Sequence, residues 1–304
     1  FGPAFLLPAE EPPMLHRRLL HPALLLLPLA LLGAPSLQAR EVAAPAEHVG
    51  ADGPYVFRVG DQLRAKWICG DQVQMRTLPA QASGTDVTPQ CGYGHSVHVL
   101  PPAAPSVSVL PATPRIVAVS DIHGQYGLLV RLLRANKVID AQDQWALGKD
   151  TLVIAGDVFD RGPQVTEAFW LLYGLQQQAA AAGGAVHFVL GNHETMVLYD
   201  DLRYVNPKYL RSAQLLGRSY PQLYAADSVI GQWLRTRPVL LKIGDTLFLH
   251  GGISPEAVQL ALDPAATTAA HQASLRPPTA EVQAYPAPAS PSPVPSRPPS
   301  DLRS

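Results

Sequence analysis

Four short apolar runs, at 115–120, 151–155, 185–190 and 246–249, stand in the middle and later parts of the chain, and each is followed at once by glycine and polar residues. Runs of that length, rich in valine and isoleucine, predict buried strands. Two segments between them have helical periodicity instead. Residues 125–136 carry Leu128, Leu129, Leu132 and Leu133, and 164–182 carry Val165, Ala168, Phe169, Leu171, Leu172 and Leu175 before Gly183-Gly184 stops the pattern. These apolar side chains are expected to be core, packed on a sheet. The order is strand, loop, helix, strand. Right-handed crossovers then set successive loops along one sheet edge, where open α/β sheets place ligands. A further helix is expected from 194 to 200, and 238–252 predicts a hairpin turning at Gly244-Asp245 and ending in His250.

Upstream the pattern differs. Between 40 and 112 lie short β-like runs, at 55–59, 62–68 and 72–77, separated by Gly-Asp turns, so a small β-rich region is expected. Residues 101–114 read as a stiff proline-rich linker. Both cysteines, Cys69 and Cys91, fall in this region. In an exported protein they pair most simply, and closing that loop is worth roughly 3 kcal/mol. A structural zinc site with His95 and His98 is the alternative, although its spacing is not a usual one.

The ends have their own character. Residues 1–13 show no usable pattern, but from Met14 a short basic group (His16, Arg17, Arg18) precedes an apolar run at 23–32, then small residues up to Ala39. That is the layout of a secretory signal peptide starting at Met14, implying a periplasmic or secreted protein. A membrane span needs about 20 apolar residues, and the short run broken by Pro28 argues against a stable one. Residues 277–304 are Pro/Ser/Ala text without apolar periodicity, read as a truncated or out-of-frame terminus or as a disordered tail. The expected organisation is thus 1–39 extension and signal peptide, 40–112 β-rich region and linker, 113–276 main α/β (α+β) domain, and 277–304 tail.

Composition adds limits. A chain of 304 residues can form one or two domains with a sizeable core. A net charge of −1 and a pI near 6.9 give no electrostatic footprint for nucleic acid or an anionic membrane. The 31 prolines crowd toward both ends.

The chemistry lies in the loops. Asp121 and His123 follow the first run, and Gly156-Asp157-Val158-Phe159-Asp160-Arg161-Gly162 follows the second. Gly191-Asn192-His193-Glu194 follows the third, and His250-Gly251-Gly252 the fourth. Asp121, His123, Asp157, Asn192 and His250 are the oxygen and imidazole donors that hard and borderline divalent cations accept. Asp157, central in the series, is the candidate to bridge two ions. Such a pair, about 3.5–4 Å apart, would clamp a phosphate and sharpen the acidity of a bridging water. His193, set against Asp160, could give a proton to the leaving oxygen. Arg161 would neutralise charge on the transferring phosphoryl group. The bland reading of the second loop is a turn closed by a surface ion pair. No Gly-x-Ser-x-Gly occurs and neither cysteine is near these loops, so nothing supports a serine or cysteine nucleophile.

Together the four loop motifs resemble the motif series of the calcineurin-like metallophosphoesterases. The Asp-Arg-Gly and Asn-His-Glu forms resemble the phosphoprotein-phosphatase type, and Asp200-Asp201-Leu202-Arg203-Tyr204 looks like the bacterial Shewanella-like branch. The resemblance spans about 115–256 and implies a calcineurin-like β-sandwich flanked by helices, incomplete toward the C-terminus. It implies two divalent metal ions (Mn, Fe or Zn), the roles given above, and a phosphorylated peptide or small molecule as substrate. Arg203 is either a second phosphate clamp or an ordinary surface arginine. Two departures stand out. Ser120 replaces the usual glycine of the first motif, and the family's last histidine ligand is missing, leaving His271 as the only histidine after His250. The implied function is hydrolysis of phosphomonoesters, including phosphoprotein or phosphotyrosine, by a metal-activated hydroxide. The alternatives are a diadenosine-tetraphosphatase-like hydrolase and an inactive fragment that binds metal or phosphate.

Overall fold

Side-chain alternation along β8 (Thr151–Ala155) organises the architecture, because its two faces enter two different cores. Leu152 and Ile154 join a large core shared with the helices, while Val153 points the other way. In this computed structural model, which describes residues 46, 49–92, 96–255, 258 and 263–275, β8 is the centre of a parallel sheet. It pairs on one side with β7 (Ile116–Val119) and on the other with β9 (Ala185–Val189).

A second sheet lies against the Val153 face. In it β10 (Leu241–Ile243) pairs antiparallel with β11 (Thr246–Phe248) and parallel with β6 (Val109–Leu110). Val153, Val189, Leu241 and Ile243 are buried between the sheets, with Leu110, Ile116 and Phe248 packed around them. This is the expected sandwich, with the hairpin ending in His250. One expectation needs correcting: 101–114 is not merely a linker. Within it β6 adds a strand, and Ser108 and Leu110 accept the N–H groups of Lys242 and Gly244 (2.8 and 3.0 Å). The alternation of Val107, Ser108 and Val109 is strand-like, but the prolines around it obscured the signal.

Helices cover the other face. α2 (Val165–Ala181) buries Val165, Ala168, Phe169, Leu172 and Leu175, and Phe169 meets Phe159 edge-on with ring centroids 4.7 Å apart. α1 (Tyr126–Ala135) buries Leu129, Val130 and Leu133. Leu128 and Leu132, expected in the core, are 56% and 41% exposed. A short helix on the flank lays one line of residues inward, and the leucine stripe is wider than that line. α3 (Asn192–Leu198) follows β9 directly; α4 (Pro207–Leu216), α5 (Val229–Arg235) and α6 (Pro264–Ser274) are the other α-helices among the described residues, and a short 3-10 turn spans Pro221–Tyr224.

β1 (Ala51–Val59), β2 (Gln62–Cys69) and β3 (Gln72–Pro79) form an antiparallel meander. Its turns are Gly60-Asp61 and Gly70-Asp71, with φ of 60° and 67° at the glycines, as tight hairpins require. Tyr55, Phe57, Leu63 and Trp67 belong to the same buried cluster as α2, so meander and sandwich share one core. Asp52 fastens this junction. Its buried carboxylate accepts from Tyr55 Oη (2.8 Å), Thr166 Oγ1 (3.0 Å) and Ser212 Oγ (2.5 Å). Cys69 and Cys91 are disulfide-bonded, with Cα atoms 5.2 Å apart. β4 (Thr85–Val87) and β5 (Val97–Val99) form a small ribbon in which His98 meets Asp86 through Nδ1 and Ser83 O through Nε2, so with both cysteines in the disulfide the alternative zinc set is not assembled there. His95, the signal-like stretch from Met14 to Ala39 and the tail 277–304 lie outside the described residues. No helix among the described residues is long and apolar enough to cross a membrane.

Candidate metal centre

Three parallel strands end side by side, so the loops after β7, β8 and β9 meet above one edge and are laced by backbone hydrogen bonds. Asp121, His123 and Gly124 donate their N–H groups to the carbonyls of Gly156, Asp157 and Val158 (3.1, 2.9 and 2.9 Å). Glycine is required where the loops touch. A Cβ on Gly156 would sit 2.6 Å from Gly191 Cα, and one on Gly124 would sit 2.6 Å from Gly162 O. Asp121, His123, Asp157, Asp160 and Arg161 all have positive φ, from 45° to 72°. Each such non-glycine residue costs about 1–3 kcal/mol and persists only where its surroundings enforce it, a cost typical of functional sites.

Asp157 is the hub. Its side chain is 4% exposed, and its Oδ2 lies 3.0 Å from His250 Nε2, 3.7 Å from His123 Nε2 and 3.8 Å from His193 Nε2. Its Oδ1 accepts the backbone N–H of His193 (3.0 Å). Asp121, mostly exposed, brings Oδ1 to 3.8 Å from His123 Nε2. Ser120 in the usual glycine position donates its hydroxyl to Asp121 Oδ2 (2.6 Å).

The ring orientations explain why these groups suit a cation. His123 Nδ1 lies 2.8 Å from Phe159 O, and His250 Nδ1 lies 2.7 Å from Ala155 O. A carbonyl only accepts, so each Nδ1 carries the proton, and in the neutral ring each Nε2 presents a bare lone pair. Lone pairs converging on a buried carboxylate oxygen repel unless a proton or a metal ion lies among them. A backbone carbonyl holding the far nitrogen of a ligating imidazole is also the usual support of a metal site. The donors form two overlapping groups, His123–Asp157–His193 and Asp121–Asp157–His250, each with its ligand atoms within 4.8 Å of one another. The residues present therefore fit divalent cations.

His193 and Asp160 form a second feature. Nδ1 of His193 lies 2.6 Å from Asp160 Oδ2, both side chains being almost fully buried. Burial raises the Asp160 carboxyl pKa, and the bond to His193 pulls it back. The His193 ring packs edge-on against His123 (4.7 Å between centroids) and beside Tyr204 (5.3 Å).

Sequence reasoning missed the role of Glu194. Its fully buried carboxylate accepts from the N–H groups of Asp157 and Gly191 through Oε2 (both 2.8 Å), and from Val158 and Phe159 through Oε1 (2.8 and 3.3 Å). Four backbone donors are thereby gathered on one side chain, which fixes the Asp157 loop to the start of α3. Its place in Asn192-His193-Glu194 was the available signal.

Other candidates are less integrated. Asn192 begins α3 on the exposed rim, with its amide nitrogen donating toward Met196 Sδ (3.9 Å). Arg161 is exposed, and its loop is docked by its N–H to Tyr204 O (3.0 Å) and by Asn206 Nδ2 to its carbonyl (2.9 Å). Arg203 is exposed and engaged with Asp201 through both Nε and Nη2 (2.8 and 2.6 Å). His271 lies on α6 and in neither donor group.

Comparison with known proteins adds to this geometry. Residues 114–278 match the calcineurin-like phosphoesterase family. Shewanella-like protein phosphatase 1 of Plasmodium berghei is 32% identical over 143 residues, which cover 46% of this chain and 39% of that protein. The symmetrical bis(5'-nucleosyl)-tetraphosphatase of Hamiltonella defensa is also 32% identical over 143 residues, covering 45% and 44%. The chain thus spans less than half the length of either curated relative. The crystal structure of a cold-active protein-tyrosine phosphatase from a psychrophilic Shewanella species superposes with a TM-score of 0.69 at 39% identity, covering 74% of this chain and 68% of that one.

Proposed function

The chain belongs to the calcineurin-like phosphoesterase family, and from that premise we propose that it is a metal-dependent phosphatase of the Shewanella-like kind, acting on phosphomonoesters of peptides or small molecules. The observation that carries this reading is the convergence of His123 Nε2 and His250 Nε2 on Asp157 Oδ2, with both far nitrogens held by backbone carbonyls. Asp121, His123, Asp157 and His250, with Asn192 at the rim, would hold two divalent cations, manganese, iron or zinc. Such ions supply Lewis acidity toward phosphoryl oxygens and make a nearby water more acidic.

The chain's own residues would do the rest. His193, held through Nδ1 by Asp160, presents Nε2 to the site and gives a proton to the departing oxygen. Asp160 keeps that ring in orientation and stabilises its charged form. Arg161, on the rim, offers its guanidinium fork to phosphate oxygens. Arg203 joins it when a substrate oxyanion displaces Asp201. The Tyr204 ring beside His193 gives an aryl ester a surface to pack on.

Purified protein loaded with manganese should hydrolyse p-nitrophenyl phosphate and phosphotyrosine peptides, with metal content near two ions per chain. Absence of turnover in protein carrying two ions would sink the proposal. A ratio near one ion per chain without turnover would favour a binding fragment, and turnover gained by adding a histidine-bearing C-terminal segment would assign a further ligand to that segment. The tetraphosphatase relative motivates a second reading, preferred if dinucleoside polyphosphates are cleaved faster than phosphopeptides.

We also propose export to the periplasm or beyond. The Cys69–Cys91 disulfide supports it, since oxidising compartments maintain such bonds. Secreted material should begin just after Ala39; an intact Met14–Ala39 segment on the mature protein would argue against export.

A further inference from the structure

We infer that the cavity between α2 and α5 is a second ligand site, distinct from the metal centre, for a small organic oxyanion: a carboxylate or phosphate group on an aromatic body. The cavity measures about 540 Å³, and residues 100–103 form part of its lining. Three arginines line it, Arg58, Arg235 and Arg237, with Tyr173 and Trp233 as aromatic walls.

Among the described residues, none of the three guanidiniums is paired with a carboxylate. Arg237 is only 5% exposed. Its Nε donates to Trp233 O (3.0 Å) and its Nη2 to Thr236 Oγ1 (2.7 Å), while its guanidinium lies 4.9 Å from the centre of the Trp233 ring. Arg58 donates Nε to Gln232 Oε1 (2.7 Å) and Nη2 to Leu100 O (2.5 Å). Arg235 donates Nη1 to the carbonyls of Tyr224 and Gly231 (2.5 and 2.9 Å). Asp227, the carboxylate nearest in effect to Arg235, is engaged by both Nη atoms of Arg218 (3.1 and 2.7 Å).

Burial lowers the pKa of all three arginines, that of Arg237 to about 10; a guanidinium nevertheless stays charged at neutral pH. Buried cations are ordinarily paired, because an unpaired charge removed from water is costly. Here neutral oxygens take part of each guanidinium, and among the described residues Arg58 Nη1, Arg235 Nε and Nη2, and Arg237 Nη1 are left for a guest. Guanidinium forks match the planar or tetrahedral oxygens of carboxylate and phosphate. The aromatic walls and the volume suit an aryl body beside the charged head group.

The test is calorimetric titration of the full chain, stripped of metal by chelator so that the metal centre does not compete for anions. Phenyl phosphate, benzoate and neutral phenol are the probes, applied to wild type and to Arg58→Gln, Arg235→Gln and the double variant. The expected result is one phenyl phosphate or benzoate per chain and at least tenfold weaker phenol. Each single change should weaken anion binding about tenfold, and circular dichroism should report an unchanged fold. Preference for phosphate over benzoate would assign the head group, and the reverse would assign a carboxylate. Equal binding of phenol, absence of anion binding, or an unchanged affinity in the folded double variant would overturn the inference.

Discussion

The carboxylate of Glu194 accepts the backbone N–H of Asp157 at 2.8 Å, so the residue at the hub of the donor cluster is held by a side chain that belongs to neither donor group. The same Oε2 accepts from Gly191, and Oε1 from Val158 and Phe159. Glu194→Gln would replace one accepting oxygen with an NH2 group that faces backbone donors. Leaving buried N–H groups unsatisfied costs about 1–3 kcal/mol each. A loss of roughly 2 kcal/mol or more follows, or about 4–8 °C in Tm for a domain of this size. Metal affinity should fall with it, because Asp157 loses its fixed orientation. Differential scanning fluorimetry and metal analysis check both. A variant that keeps the wild-type Tm would show that Glu194 is not a support.

Asp157 and His193 should separate metal binding from proton transfer. Asp157→Asn removes the negative charge facing three Nε2 atoms and should lower both metal content and turnover by at least about a hundredfold, more than the loss of a supporting residue around the ligands usually causes. His193→Asn should leave metal bound and reduce kcat by about 10²–10⁴, the range for a lost general acid. Metal loss in the second variant would instead make His193 a ligand, which its distance of 3.8 Å from Asp157 Oδ2 permits.

How far these features were legible follows from their physics. Apolar runs and polar loops exposed the three parallel strands and the donors at their ends, because side-chain chemistry and order along the chain carry that information directly. The sharing of one core by the meander and the sandwich was not legible, since amphipathic strands state that a face is buried but not against what. Nor was Asp52, whose hydroxyl partners come from β1, α2 and α4. Glu194 stands beside the motif, yet the four donors it collects converge only once Asp157 has taken a left-handed conformation. Leu128 and Leu132 show the opposite error, in which periodicity overstated how much of a helix a sheet covers.

The disulfide should act through the unfolded chain. Cys69 and Cys91 are 22 residues apart, and closing such a loop contributes about 3 kcal/mol in the chain-entropy account. Replacing both by serine should lower Tm by roughly 6–12 °C. Reductant should destabilise the wild type to the same extent and leave the double variant unchanged. A reductant effect on the serine variant would place its target elsewhere.

His98 should make the β4–β5 ribbon sensitive to pH. Its Nδ1 faces Asp86 Oδ1 at 2.7 Å and its Nε2 faces Ser83 O at 3.1 Å, so both ring nitrogens meet acceptors. Only the protonated imidazole donates from both. The hydrogen bond to Asp86 is the main cause of its raised pKa, with burial opposing it. A group whose folded pKa is raised contributes fully below its unfolded pKa, about 6.5, and loses that contribution as pH rises through the folded value. The side chains are 42% and 72% exposed, so the contribution should stay below about 1 kcal/mol. Urea denaturation of wild type and His98→Asn should show the wider stability gap at about pH 5.5 and a narrower one at about pH 8.5. High salt should narrow the gap at the lower pH, because solvent screens an exposed pair. A gap that stays constant across this range would mean that His98 serves the ribbon by packing and hydrogen bonding alone, without its charge.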